Sequence, residues 1–333
     1  MQTEIVSTVQ NKVRAIAAAV EVLRERGLVA LPSETVYGLA GDALEPEAVI
    51  KIFEAKERPF FDPLIVHVPS RDWVDELVKW KSGAREIIDE LMKRFWPGPL
   101  TLLLPRTDRV PDLVTAGLIE VAVRQPSHPI FAEVLSAFGK PLAAPSANRF
   151  GRVSPTTASH VLTELEGRIP LILDAGSTFV GVESTVIRAT ERGIEILRPG
   201  PVTHEQLGEL APIIDRSSST QIEAPGQTES HYATTKPVRI LETLDSSADY
   251  THSGHLCWGT PKFKDRFALV HSLSETRNLY EAAQRLFALL REFDSAPIDI
   301  IYVDPVPETG IGRAIMNRLR RSAALRPPDN LAR

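Results

Sequence analysis

Short apolar runs recur between Leu28 and Arg188, and stretches of helical periodicity stand between several of them. The runs are LVAL from Leu28, LIVHV from Leu64, LTLLL from Leu100, EVAVR from Glu120, PLAA from Pro141, PLILD from Pro170 and STVIR from Ser184. Runs of this length and character predict strands. Ahead of them, Val13, Ile16, Ala17, Val20 and Leu23 keep a helical spacing, and Gly27 is placed to stop that helix. Further helices are predicted in PEAVIKIFEAKE, WVDELVKW, SGAREIIDELMKRFW and HPIFAEVLSAFG. Strands interleaved with helices predict a layered α/β structure rather than a bundle or a sandwich. LTLLL and EVAVR have no long helix between them, which predicts a mixed sheet rather than an all-parallel one.

A chain of 333 residues exceeds the ~250–300 at which single cores usually divide, so two domains are expected. The pattern decays between Pro199 and Pro237, where one short helical segment, THEQLGEL, precedes the Ser-, Thr-, Gly- and Pro-rich DRSSSTQIEAPGQTESHYATTKP. Residues 1–205 therefore read as one domain, 206–236 as a linker and 237–333 as a second, smaller α/β domain. That last part holds VRILETL, a helix with Leu279, Ala283, Leu286, Leu290 and Phe293 on one face, the strand IDIIYV, and the closing helix GIGRAIMNRLRRSAA. A net charge of −5 speaks against the whole chain being a polyanion binder, though not against a local basic patch. The single cysteine, Cys257, excludes an internal disulfide and a multi-cysteine zinc site and points to a reducing compartment. The opening has no basic segment leading into a long apolar one, and no 18-residue apolar run occurs. A cytoplasmic protein without a membrane partner is expected.

Five stretches could carry chemistry. In LPSETVYGLAGD, Ser33, Glu34 and Thr35 fall where a strand should end, the place where open α/β sheets bind ligands. Gly38 and Gly41 suit close backbone approach, although a turn capping the next helix would use the same residues. KERPFFDP brings Lys56 and Arg58 before LIVHV and its His67; cations at a helix end would read the same way. Arg124 ends the apolar strand VAVR, where it must reach an anion or snorkel from an edge. APSANRFGRVSPT supplies Ser146, Asn148 and Ser154, with Ser154 or Thr156 equally able to cap a helix. GVESTV and ILRPG add Ser184 and Arg198. No GxxxxGK[ST] loop, HExxH pair or GxSxG elbow occurs, which leaves cations and hydroxyls without a protein nucleophile or a metal-ligand cluster.

In order along the chain, LPSETVYGL, KERPFFDPLIVHV, PGPLTLLL, VAVRQPSHP, APSANRFGRVSPT, GVESTVI and ILRPGPV resemble the YrdC-type threonylcarbamoyl-AMP synthases over residues 8–205. HYA in the linker and GIGRAIMNRLRRSA resemble the long, two-domain form of that family. The resemblance implies an open, twisted α/β sheet with a basic concave face, followed by a smaller Rossmann-like α/β domain. It implies condensation of L-threonine, bicarbonate (or carbon dioxide) and ATP to threonylcarbamoyl-AMP, with pyrophosphate leaving. The product would pass to a transferase complex that modifies the adenosine beside the anticodon of tRNAs reading codons that begin with A. By motif position, Thr35, His67, Arg124, Ala144 and Ser184 are expected around threonine. Arg58, Asp62, Glu120, Ser146, Asn148, Ser154, Arg198 and Tyr232 are expected around the nucleotide, with Lys56 and Arg58 catalytic and Arg58 exposed at a pocket. Mg²⁺ is expected to arrive with ATP, held mainly by phosphates and water. The chain departs from the family pattern at Glu57, Asp62 and Glu120, where the family carries Gly, Asn and Thr or Ser. Two other readings are a non-catalytic module for double-stranded RNA or tRNA, and a carbamoyl-transfer domain acting on another amine. The net charge and lack of interleaved aromatics oppose the first, and the retained Thr35, His67 and Ser184 oppose the second.

Overall fold

Helix α1 (Lys12–Arg24) opens with Asn11, whose side chain accepts from the Arg14 amide at 3.0 Å. The chain leaves this helix through Arg26, at φ 59°, and Gly27 matters for space instead: a Cβ there would lie 2.6 Å from Val22 Cγ1. The computed structural model describes residues 2–80, 83–214, 232–245 and 247–324. It divides into two compact units, Met1–Phe150 with Ser154–Gln227, and Gly151–Val153 with Thr228–Arg333.

The first unit begins with β1 (Glu4–Ser7), α1, β2 (Val29–Leu31), β3 (Gly38–Asp42), α2 (Pro46–Lys56), β4 (Ile65–His67), α3 (Asp72–Leu77) and α4 (Arg85–Phe95). There follow β5 (Leu100–Pro105), α5 (Asp112–Thr115), β6 (Glu120–Arg124), α6 (Pro129–Phe138), β7 (Leu142–Ala143), α7 (Ala158–Leu165), β8 (Leu171–Asp174), β9 (Thr185–Thr190), β10 (Gly193–Arg198), α8 (His204–Gly208) and β11 (Ile213–Ile214). Its strands form one mixed sheet in the order β1-β8-β2-β3-β7-β4-β6-β5-β9-β10-β11. The expected mixed character is confirmed where it was anticipated, since β5 runs antiparallel to β6. The expected linker starts later than residue 206, because α8, with its Thr203–Gln206 capping box, and β11 extend the first unit. Residues 215–231, including His231 of HYA, lie outside the described residues.

Alternation along the strands explains where a site can exist. Val66, Val121, Val123, Leu102, Leu104 and Ile187 point to one face and join the main core with α2, α4 and α7 residues. The opposite face is covered by α1 and α6 over β2, β7 and β8. Farther along it, Ile65, Leu103, Ala122, Val186 and Leu197 form a small apolar patch built from strand residues alone. His67, Arg124, Thr101 and Arg188 share this face with the patch by two-residue spacing and register.

The second unit carries β12 (Val238–Ile240), β13 (Ser253–Cys257), β14 (Leu269–Ser272), α9 (Leu279–Ser295), β15 (Ile300–Val303) and α10 (Gly312–Ala323). Its four strands are all parallel in the order β12-β15-β13-β14. Leu286, Leu290 and Phe293 of α9 are fully buried. Gly151–Val153 joins this unit through the Ala233 amide, which donates to the Gly151 carbonyl at 2.7 Å.

Candidate active site

The loop between β2 and β3 is tied by Ser33, whose Oγ accepts from the Thr35 and Val36 amides at 3.1 and 3.2 Å. That turn presents Glu34 and Thr35 to Arg124, at the end of β6. The guanidinium donates to Thr35 Oγ1 at 3.2 Å and to the Gly98 carbonyl at 3.1 Å, and its Nη2 forms an ion pair with Glu34 Oε1 at 2.7 Å. Arg124 is 3% exposed, so it does not snorkel from an edge as one sequence reading allowed. Burial pushes the Glu34 carboxyl up, but Arg124 and the Ser127 amide outweigh it and hold the group below its ordinary value.

His67 pairs in register with Arg124 across β4 and β6 and stacks on Phe131 with ring centroids 5.0 Å apart. Burial, with the Arg124 cation second, lowers its pKa to about 3, so the imidazole is neutral at physiological pH. Its Nδ1 is buried without a hydrogen-bond partner among the described residues, as are Glu34 Oε2 and Asp62 Oδ1. Buried polar atoms are normally hydrogen-bonded, so these three call for a polar partner, which a bound substrate or a water would supply. Ala144 follows β7, its amide donating to the Ile65 carbonyl at 3.0 Å. Gly38 approaches it so closely that an added Cβ would meet Ala144 Cβ at 3.3 Å.

The second half of the site gathers at the end of α2. Arg58 pairs with Asp62 at 2.9 Å and donates to the Asp62 and Pro63 carbonyls at 3.1 and 2.8 Å. It is 7% exposed, which corrects the expectation of an exposed arginine: its own stiff RPFFDP loop supplies these contacts, and the Phe150 ring lies 5.9 Å from its guanidinium carbon. Burial raises the pKa of Asp62, while Arg58, Lys56 and Arg198 pull it the other way. Lys56 donates to the carbonyls of Ser146 (2.5 Å) and Asn148, so its ammonium fastens the SAN loop. Burial and then Arg58 drive the Lys56 pKa well below its ordinary value. Asn148 itself donates to the Arg149 carbonyl at 2.7 Å.

A loop before β9 joins the halves. The Gly181 amide donates to the Thr35 carbonyl at 3.2 Å, and Ser184 Oγ lies 2.8 Å from Thr101 Oγ1 and 3.0 Å from Arg198 Nη2. Arg124 is thus tied through Thr35 to the loop that leads to Ser184 and Arg198, while Arg58, Lys56 and Arg198 all act electrostatically on Asp62. Ser154 donates to Glu183 Oε1 at 2.5 Å rather than capping α7, whose N-cap is Thr157. Glu120 is not brought to this cluster. It sits at the other end of β6, about 13 Å along the strand from Arg124, where Arg188 holds it through contacts of 2.8 to 3.2 Å. Tyr232 belongs to the second unit, where its ring stacks on Phe287 at 5.3 Å with Arg318 5.5 Å away. Glu34 was among the residues expected at the strand end, whereas Thr101 and Glu183 were missed; the signal available was a hydroxyl inside LTLLL and a carboxylate directly before Ser184.

The family model described as Telomere recombination, covering Sua5, YciO and YrdC proteins, matches residues 21–200. A second, the threonylcarbamoyl-AMP synthase C-terminal domain, matches residues 202–324. The chain belongs to the threonylcarbamoyl-AMP synthase family. It is 41% identical to the threonylcarbamoyl-AMP synthase of Bacillus subtilis over 92% of both chains. The Pyrococcus abyssi enzyme of the same name is 40% identical over 93% of this chain and 94% of its own. The crystal structure of Pyrococcus abyssi Sua5 complexed with L-threonine matches with a TM-score of 0.86 and 37% identity, over 96% of this chain and 98% of that one. Among the described residues no helix is long and apolar enough to cross a membrane.

Proposed function

We propose that this chain makes threonylcarbamoyl-AMP from L-threonine, bicarbonate or carbon dioxide, and ATP, for threonylcarbamoyladenosine modification of tRNA. The observation that carries this reading is the Arg124 guanidinium joined to Thr35 beside neutral His67, with Arg58, Lys56 and Arg198 gathered around Asp62 in the same unit. Threonine offers a carboxylate for a fixed cation and a hydroxyl for Thr35, Ser184 or His67 Nδ1. Its amine adds to carbon dioxide, losing a proton and forming a carbamate. A carbamate oxygen then bonds to the α-phosphorus of ATP as the bond to the β-phosphate oxygen breaks, and pyrophosphate leaves.

Negative charge grows on the α-phosphate and the leaving group, so the reaction calls for placed cations more than for a nucleophile. Arg58 and Arg198 would do that work, and Lys56 holds the SAN loop that would line the nucleotide. Among the described residues no cluster of three His, Cys, Asp or Glu side chains could hold a metal. Mg²⁺, arriving with ATP, would be carried by phosphate oxygens and water, where it would supply charge neutralisation. The product, a mixed anhydride, suits transfer to tRNA by a separate complex.

Pyrophosphate release by the full chain tests the reading. Turnover is expected only with threonine, bicarbonate and ATP together. Equal turnover with serine, or without an amino acid, would overturn the threonine assignment.

A further inference from the structure

The carboxyl ends of β12, β13 and β15 meet at a cavity of about 210 Å³ in the second unit. The strand order explains its place. The chain runs from β13 to its neighbour β14 on one side, then returns to β15 on the other side of β13. Parallel sheets open a crevice outside the strand ends where the winding reverses in this way. Its wall is held by Asp304, just past β15. One oxygen lies 2.8 Å from His255 Nε2, and the other accepts from the Trp258 amide at 2.9 Å. Both oxygens of that carboxylate are thus engaged by the wall.

Lys262 and Arg277 line the same cavity, and neither side chain has an ion pair or hydrogen bond to any described residue. Arg277 is also held in an uncommon backbone conformation, φ 60°, which a side-chain-bearing residue adopts at a cost. Its guanidinium lies against Gly259, where an added Cβ would come within 2.8 Å of Nε. Glu242 lines the cavity as well, so the two cations stand beside two carboxylates, of which Asp304 is already held by His255 and the Trp258 amide. Trp258 and Phe263 add aromatic surface. The Cys257 thiol is no nucleophile here: burial pushes its pKa up, and it donates to the Gly259 carbonyl.

We propose that this cavity binds a small organic anion, its carboxylate or phosphate held by Lys262 and Arg277 and its body against Trp258 and Phe263. The site is built from the second unit alone and is independent of the reaction proposed above. Fluorine NMR of the full-length chain carrying 5-fluorotryptophan tests it, with the Trp258 resonance assigned by Trp258→Phe. Inorganic phosphate and succinate serve as probes, in the absence of threonine and ATP. At least one is expected to shift the Trp258 resonance saturably, with a dissociation constant of about 10 mM or tighter. Lys262→Ala combined with Arg277→Ala, both at exposed positions, is expected to weaken that binding at least about tenfold. Arg58→Ala, in the other unit, should leave it unchanged. A response to phosphate alone assigns a phosphorylated ligand, and a response to succinate alone a carboxylate. No shift with either probe, or a shift that survives the double variant, overturns the site.

Discussion

Glu34 and Arg124 are both buried, and each is the other's charge partner. Breaking such a pair leaves a naked charge in a low-dielectric setting, at a cost of about 3–5 kcal/mol. Glu34→Gln is therefore expected to lower the urea midpoint of the first unit sharply. Arg124→Lys keeps the charge but cannot reach Gly98, Thr35 and Glu34 together. Each charge-assisted contact is worth ~1.5–3 kcal/mol, so kcat/KM for threonine should fall roughly 10- to 150-fold. An unaltered value would remove Arg124 from the amino-acid site. His67 makes a different prediction. Its folded pKa of about 3 lies below the ordinary 6.5, so between those values only the unfolded chain takes up the proton. Stability is full above pH 6.5 and falls as the pH drops, by about 2 kcal/mol at pH 5. His67→Gln should lose that part of the slope, and a variant with the wild-type slope would sink the claim. The cations and hydroxyls of this site were legible because most of them flank an apolar run. Their pairings were not, since Glu34, Thr101 and Glu183 become neighbours only through the sheet order.

Helix α2 ends on Glu57 at φ 54°, the left-handed conformation that glycine adopts without penalty. The resemblance gave glycine as the family residue at this position. Glu57 pairs with Arg168 at 2.6 Å, but its side chain is 58% exposed, and such pairs contribute little. Relief of backbone strain should win, so Glu57→Gly is expected to stabilise by about 0.5–1 kcal/mol and Glu57→Val to destabilise. Thermal unfolding of the two variants decides it; a less stable glycine variant would give the ion pair the larger share. The same weighing of local signals explains which elements could be read in advance. Helices α1, α2, α6 and α9 carry clean apolar stripes and were found within a residue or two. Strand β3, GLAGD, has two glycines and no β-branched residue, and so read as a loop. Its glycines serve proximity to Ala144 and Leu28, which only the folded sheet reveals. SGHLC and LVHS, β13 and β14, are short and partly polar, and their burial comes from parallel pairing that the sequence pattern does not display.

Charge across the whole molecule decides how it should meet a polyanion. The net value is −5, and arginines of the site and of the patterned sheet face are neutralised locally: Arg58 by Asp62, Arg124 by Glu34, Arg188 by Glu120 and Glu195. Two of these carboxylates, Asp62 and Glu120, stand where the family pattern has uncharged residues. Cations that are buried and paired release few counterions when a nucleic acid approaches, so they add little to the salt dependence of binding. Small substrates differ, because they can enter the network and exchange contacts with it directly. The expected outcome is tRNA binding no tighter than ~10⁻⁵ M at physiological salt, with a shallow dependence of affinity on salt. Threonine-dependent pyrophosphate release should persist at the same ionic strength. Filter binding across a salt series gives the slope. A slope equivalent to several phosphates would mean that a displayed basic surface, and not this paired network, governs the encounter with RNA.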